Sequence, residues 1–256
     1  MRIAVTGGTG RIGGRVVELL HEAGGHEVVA LSSRTAPYDD PIALRTAFDA
    51  VDTLVFVSSD GEAARVLTHH RNVLDAAAKV GHIVLLSGLD VARDSPFCYA
   101  YTNGETERLL RAGDRPYSIA RAGLFAEFFL SLVDQVATEG RAALPAADAR
   151  VSLVARADVA RCLAALALGE PTNRHHDITG PDSLPVAAVT SATGNRYTAS
   201  SPAEFATTLT AQGEDPWWIY AYLTMFDAVR QDRWSATSGE VEALTGRGPT
   251  PLAKIG

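Results

Sequence analysis

The N-terminal segment combines a short apolar run, a glycine-rich turn and a run of apolar residues at helical spacing. Residues 3–5 read Ile-Ala-Val, three glycines then recur at every third position, and residues 15–23 have a helical apolar pattern. In a strand–turn–helix unit such glycines allow a tight turn, close approach of the backbone to a pyrophosphate and close helix packing. The helix N-terminus adds free N–H groups. The residues predicted to surround a dinucleotide here are Gly7, Thr9, Gly10, Arg11, Ile12 and Gly13. The alternative is a purely structural turn.

Composition bounds the remaining classes of function. The chain has 256 residues, of which 46% are hydrophobic and 21% charged, an ordinary balance for a globular protein. Its net charge of −7, from 23 basic and 30 acidic residues, disfavours a nucleic-acid-binding surface. Cys98 and Cys162 lie far from each other and read as reduced thiols. The pairs His69-His70 and His175-His176 have no partners at ligand spacing, so we expect no metal site.

The sequence also indicates where the protein is located. The first predicted strand begins at the N-terminus, so we expect no signal peptide. No run of about 18 apolar residues is present, so we expect no membrane span. We therefore predict a cytoplasmic protein. The oligomeric state stays open, with a homodimer as one option.

The residues after the second predicted strand, 26–31, indicate the type of cofactor. NAD sites place an acid there for the ribose 2′-hydroxyl, whereas an arginine accommodates a 2′-phosphate. Here the sequence reads Leu31-Ser-Ser-Arg34, without an acid. We therefore predict NADP(H) rather than NAD(H), with Ser33 and Arg34 at the phosphate. The alternative is that Arg34 is a solvated loop residue.

Strands and helices alternate along the next part of the chain. Strands are predicted at 53–57, 82–87 and 117–121, with helices between them at 62–79 and 96–112. This order predicts a doubly wound, Rossmann-like parallel sheet. Residues 140–150 read as a loop, 151–154 as a short strand, 177–180 as the end of a last strand, and 202–212 and 215–230 as helices. We predict a cofactor domain at 1–140 and a small, mainly helical substrate region at 141–256, with strands returning to the main sheet. Further cofactor contacts are predicted at the strand ends, from Ser58, Ser59, Ser87, Arg121 and Gly123.

Several motifs together resemble the NmrA-like atypical short-chain dehydrogenases/reductases, and most closely the branch of type 2 quinone oxidoreductases and triphenylmethane reductases. The motifs include the glycine turn, Tyr38-Asp-Asp-Pro41, His70-Arg-Asn-Val-Leu74, Thr106-Glu107, Arg121-Ala-Gly123 and Leu244-x-Gly-Arg-x-Pro-Thr250. The resemblance implies a Rossmann-type domain, a small C-terminal substrate domain and reduction of quinone-like or conjugated aromatic compounds. The chain departs from the family in two places. The segment between Arg34 and Tyr38 lacks room for the family's helix and edge strand, and the acid that contacts adenine in the family is replaced by Pro37.

The resemblance also aligns a catalytic trio. It places Tyr99 at the position of the tyrosine that donates a proton, Ser87 at the serine and Asn103 at the lysine that lowers the tyrosine's pKa. Neither Lys79 nor Lys254 can replace that lysine. Ordinary alcohol dehydrogenation is therefore disfavoured, because tyrosine has a pKa of about 10 without such help. A quinone remains a suitable acceptor, since its conjugated system delocalises the charge. Alternatively, Tyr99 only packs at the start of its helix.

Aromatic residues predict the wall of a substrate pocket. Phe125 and Phe128 follow the strand that ends under the nicotinamide, and Trp217 and Tyr222 lie in a C-terminal helix. We predict that these four contact the substrate and that Trp218 only packs, although core packing is the alternative reading for each.

These features predict an NADPH-dependent reductase of a quinone or a related polycyclic aromatic compound. The reaction is one option for a tailoring step of aromatic polyketide or other secondary metabolism. The alternative is a non-catalytic dinucleotide sensor that acts through a protein partner, as regulatory members of the NmrA-like group do.

Overall fold

A six-stranded parallel sheet forms the centre of the protein, for which we used a computed structural model that describes residues 1–255. Its strands are β1 (Arg2–Val5), β2 (Glu27–Ala30), β3 (Thr53–Val57), β4 (His82–Gly88), β5 (Tyr117–Ala122) and β9 (His175–Ile178). The helices that connect the first five are α1 (Arg11–Ala23), α2 (Pro41–Ala47), α3 (Ala63–Ala76) and α4 (Cys98–Arg111). This is the predicted Rossmann-like class.

The order of strands across the sheet is β2-β1-β3-β4-β5-β9, and all neighbours are parallel. The chain moves outward from β1 to β2 and then crosses back to β3 on the other side of β1. A crevice opens at the carboxyl ends of the strands where the direction reverses. The turns that follow β1, β3, β4 and β5 therefore meet at one edge.

Helices cover both faces of the sheet. On one face, Val16 and Leu20 of α1 pack with Leu163 of α6 (Arg156–Leu168) against the fully buried Ile3 and Val5. The opposite face carries α2, α3 and α4, whose buried side chains pack on the apolar residues of β3 and β4. Burial on both faces explains why these strands read as continuous apolar runs rather than as alternating ones.

The edge of the sheet is shortened, as the sequence predicts. Strand β2 is the last strand on its side, and residues 31–40 form turns before Asp40 caps α2 with its carboxylate. The extra helix and strand of the family pattern have no counterpart in this stretch. The rest of the sheet is preserved because the edge supports none of the central strands.

The C-terminal part has its own core, formed around Phe129, Phe205 and Phe226. Its elements are α5 (Ala126–Val136), β6 (Ala137–Thr138), β7 (Arg141–Leu144), β8 (Arg150–Val151), β10 (Leu184–Pro185), α7 (Val186–Ala192), β11 (Arg196–Ala199), α8 (Pro202–Ala211) and α9 (Pro216–Arg230). Helix α10 (Glu240–Thr245) packs instead on α6, in the core of the central sheet. A short 3-10 helix follows at Leu252–Lys254.

Two predictions for this part need correction. Residues 140–150 are not a plain loop, because β7 lies between β6 and β11 in a three-stranded sheet. The strand predicted at 151–154 shrinks to β8, which pairs with β10. Only two side chains of β7 are buried, those of Ala142 and Leu144, so the strand pattern is weak. Cys98 and Cys162 are free thiols, as predicted. Among residues 1–255, no helix has both the length and the apolar character needed to span a bilayer.

Candidate functional site

The glycine turn after β1 has the close backbone packing that a dinucleotide requires. Gly7 adopts a φ of +61°, and a Cβ on Gly13 would lie 2.3 Å from the Gly7 carbonyl oxygen. Gly10 stands at the N-cap of α1, where no side chain caps the helix and no acid occupies its first turn. Thr9, Gly10 and Arg11 line an open depression at this end of the helix. The uncapped N–H groups and bare backbone fit a pyrophosphate.

The turn after β2 lies beside this helix end. Ser33 and Arg34 are exposed, and Arg34 takes part in no ion pair within the described chain. Its guanidinium is therefore available to a phosphate. Tyr38 lies deeper: its hydroxyl donates to the Val57 carbonyl at 2.7 Å, and its ring packs edge-on against Phe56. Tyr38 thus joins the turn region to the end of β3.

A cavity of about 360 Å³ extends from the glycine turn across the carboxyl ends of β3, β4 and β5 to α9. Its lining includes many of the residues predicted for the site: Ile12, Ser58, Ser59, Ser87, Tyr99, Asn103, Gly123, Phe125, Phe128 and Tyr222. Most of the remaining lining is apolar or aromatic. Residues that lie more than two hundred positions apart in the sequence thus line one cavity next to the cofactor turn.

Tyr99 and Asn103 lie one helical turn apart on α4 and face this cavity. The Tyr99 hydroxyl oxygen accepts a hydrogen bond of 3.0 Å from the backbone N–H of Gly61, in the loop after β3. Burial raises the pKa of Tyr99, while the bond from Gly61 opposes the rise. The Asn103 amide packs on the end of β4, where its nitrogen lies 2.6 Å from the position of a Cβ on Gly88. Tyr99 is therefore a neutral phenol with its own proton free to donate.

A buried carboxylate engages Ser87 and Arg121. The Ser87 hydroxyl donates to Glu107 at 2.8 Å, and Arg121 donates to both Glu107 oxygens at 2.8 and 2.6 Å. Arg111 adds a further bond of 3.0 Å. The proton of Ser87 is thus directed at Glu107, and only lone pairs of Ser87 face the cavity. Arg121 points to α4, outside the cavity that Ser87 and many of the other predicted residues line.

The loop that carries Ser58 and Ser59 is held by a buried histidine. His70 Nε2 accepts from the Ser59 backbone N–H at 3.0 Å, so Nδ1 carries the proton and donates to Thr106 at 2.7 Å. Burial lowers the pKa of His70 to about 4, which keeps the ring neutral. Ser58 donates to the Leu86 carbonyl. The sequence reasoning singled out His70 only as part of a motif and missed this role.

The aromatic wall differs from the prediction at one position. Trp218 lines the cavity and stacks on Tyr222 with a centroid distance of 6.0 Å, whereas Trp217 lies behind Tyr99 at 6.5 Å and is absent from the lining. Adjacent helical residues point about 100° apart, and packing against α4 decides which one faces inward.

Some residues of the lining were missed by the sequence reasoning. They are Asp90, Phe97, Met225 and Trp234. Trp234 follows α9 in an irregular segment and meets Phe97 edge-on at 5.0 Å. No periodic pattern marks such a position, so the sequence offers no signal for it. Within residues 1–255, no group of three or more His, Cys, Asp or Glu side chains is arranged to hold a metal ion.

Comparisons with known proteins agree with this geometry. The sequence profile of a family described as NAD(P)H-binding matches residues 7–170. Quinone oxidoreductase 2 of Escherichia coli (strain K12) is 30% identical over 179 residues, which cover 63% of this chain and 62% of that protein, less than two thirds of its length. An NAD(P)H azoreductase of Xenophilus azovorans is 28% identical across 99% of this chain and 96% of its own. The structure of Citrobacter sp. triphenylmethane reductase complexed with NADP(H) has a TM-score of 0.90 at 22% identity, covering 99% of this chain and 98% of that one.

Proposed function

Because the chain belongs to the NAD(P)H-binding family, we propose that it uses NADPH to reduce quinones or related conjugated polycyclic aromatic compounds. The observation that carries the proposal is the single cavity that runs from Ile12, in the first turn of α1, to Phe128, Trp218 and Tyr222. An aromatic-walled enclosure at the carboxyl edge of the sheet suits a flat, conjugated substrate. The names of the quinone and azo reductases among its relatives support the same reaction class.

The two parts of the chain have different roles in this function. Residues 1–140 hold the cofactor: the glycine turn and Arg11 hold the pyrophosphate, Ser33 and Arg34 the 2′-phosphate, and Ser58, Ser59, Ser87 and Gly123 the nicotinamide end. Residues 141–256 supply α9, whose Trp218 and Tyr222 close the cavity. Arg121 serves indirectly in this scheme, since it holds Glu107, which holds Ser87.

When bound, the cofactor supplies a hydride. The protein then has two tasks, to stack the substrate ring against the nicotinamide and to provide a proton for the reduced oxygen. The aromatic wall performs the first. Tyr99, a neutral phenol that faces the cavity, performs the second, and Asn103 beside it orients the substrate carbonyl by hydrogen bonding.

Turnover with a panel of benzo-, naphtho- and anthraquinones tests the proposal. We expect oxidation of NADPH that depends on the quinone, with preference for polycyclic members and a lower rate for Tyr99→Phe. The panel includes polyketide-derived quinones, because a tailoring enzyme would strongly favour one of them. If the protein binds the dinucleotide but oxidises it with no member, the alternative of a non-catalytic sensor, which the missing lysine at Asn103 also fits, replaces the proposal.

A further inference from the structure

The indole of Trp217 has no role in the proposed function, although its position is unusual. Trp217 stands in the first turn of α9, and its ring meets the Tyr99 ring nearly perpendicularly, at 80° and 6.5 Å between centroids. Its Nε1–H is buried and has no hydrogen-bond partner within residues 1–255. A buried N–H without a partner costs free energy, so it indicates a contact that forms only in another state of the site.

The group beside this indole is the phenol of Tyr99. Gly61 already donates to the phenol oxygen from the loop after β3, at 3.0 Å. Burial is the main influence on the pKa of Tyr99 and raises it, while the hydrogen bond from Gly61 and the neighbouring Trp217 indole lower it. The indole lies against the phenol but donates no hydrogen bond to its oxygen in this structure. Two N–H groups from two different elements, one bonded and one unpaired, thus lie beside Tyr99.

We propose that Trp217 and the backbone N–H of Gly61 form a two-donor site for the Tyr99 oxygen. This site replaces the lysine of the family, whose position Asn103 occupies in this chain. The inference rests on the proposed reduction of a conjugated carbonyl. With both lone pairs of the oxygen engaged, the single O–H of Tyr99 points into the cavity. Trp217 is a positioning residue, since it touches Tyr99 and does not line the cavity.

The proton step balances without any group beyond those already named. Bound NADPH would supply a hydride with its electron pair to the substrate, whose carbonyl oxygen would then carry negative charge and need a proton. The Tyr99 O–H bond breaks, its proton forms the new O–H bond of the product, and the electron pair stays on the phenolate. The two N–H donors stabilise that phenolate, as an oxyanion hole does. A water molecule that enters the cavity protonates the phenolate, and the hydroxide that this leaves is neutralised in bulk solvent.

The surroundings of Tyr99 offer no cation that could replace the lysine. The titratable groups that face Tyr99 are Asp60 in the β3 loop, Cys98 on α4 and Tyr222 on α9, and none of them carries a positive charge.

Titration of Tyr99 in the protein without substrate tests the inference directly. Tyrosine labelled with ¹³C at Cζ reports ionisation by NMR, and Tyr99→Phe assigns the signal among the seven tyrosines. We expect Trp217→Phe to raise the pKa of Tyr99 by about one unit, because it removes one donor to the charged form. Trp217→His, which keeps an N–H, should restore part of the shift, and Trp218→Phe should leave the pKa of Tyr99 unchanged.

A second readout needs no variant of Trp217. Ionisation of Tyr99 should move the indole Nε1–H resonance of Trp217 downfield, as its hydrogen bond to the phenolate forms. An unchanged pKa of Tyr99 in Trp217→Phe together with an unmoved indole signal would overturn the inference. These results do not depend on turnover. If Trp217→Phe shifts the pKa of Tyr99 but the protein reduces no quinone, the proposed function is contradicted and the Trp217–Tyr99 contact is still established.

Discussion

At the scale of a single residue, Arg34 is the side chain that we propose selects the cofactor. It is exposed at the end of the turn after β2, close in sequence to a strand whose end carries no acid. A guanidinium that is free of internal ion pairs can form charge-assisted hydrogen bonds with a phosphate. The family assignment covers both nicotinamide dinucleotides, so the preference for NADPH stays a prediction.

We expect Arg34→Ala to weaken binding of NADPH about tenfold while leaving that of NADH within twofold, since a charge-assisted bond contributes about 1.5 to 3 kcal/mol. Titration calorimetry with each dinucleotide measures this. Arg45→Ala, at an exposed position on α2, serves as the control and should change neither affinity. Equal weakening of both dinucleotides would place Arg34 away from the 2′-phosphate.

Glu107 joins three elements of the fold. It lies on α4, only 3% of its side chain is exposed, and it binds Ser87 of β4 and Arg121 of β5. The sequence marks Glu107 only through a family motif, because a glutamate in an amphipathic helix normally reads as a solvent-facing residue. The contacts show instead that it anchors the helix that carries Tyr99 and Asn103.

Removal of this carboxylate should destabilise the junction of α4 with the sheet. We expect Glu107→Ala to lower the free energy of unfolding by about 3 kcal/mol, because it leaves the largely buried Arg121 without its partner. Glu18→Ala, which breaks an exposed pair with Arg15, should cost less than about 0.5 kcal/mol. Urea denaturation of both variants gives the comparison. Similar losses in the two would show that Glu107 contributes no more than a surface charge.

Buried neutral histidines make the stability of the whole molecule depend on pH. Burial lowers the pKa of His70 and of His82 to about 4. In the unfolded chain both return toward about 6.5. The unfolded state therefore binds more protons between these values, and stability falls as the pH drops from about 6.5 toward 4.

The loss attributable to His70 should approach about 1.4 kcal/mol per pH unit within that window. Urea denaturation at a series of pH values measures the slope. His70→Gln should flatten it by about one proton, since an amide accepts the Ser59 N–H without titrating. His82→Gln should flatten it in the same direction. If the free energy of unfolding depends on pH as steeply in both variants as in the original protein, these histidines are not the source of the pH dependence.

The central sheet could be predicted from sequence because its signals are local. Strands β1, β3 and β4 contain continuous apolar runs, and the turns after β1 and β5 carry glycines. The small sheet of β6, β7 and β11 could not be predicted, since its strands are short and β11 pairs with β7 across more than fifty residues. Pairing over such distances depends on which surfaces remain uncovered after the main sheet forms.

The amino-acid sequence by itself determined the fold class, the dinucleotide turn and the absence of the lysine that would assist Tyr99. Backbone glycines, apolar periodicity and residue identity are local properties that need no neighbour to act. Only the tertiary structure decided that Trp218 faces the cavity while Trp217 faces Tyr99, and that Ser87 and Arg121 share a buried carboxylate. Those outcomes depend on the packing of α9 and α4 on the sheet, because a shift of one residue along a helix exchanges a place in the cavity wall for a contact with Tyr99.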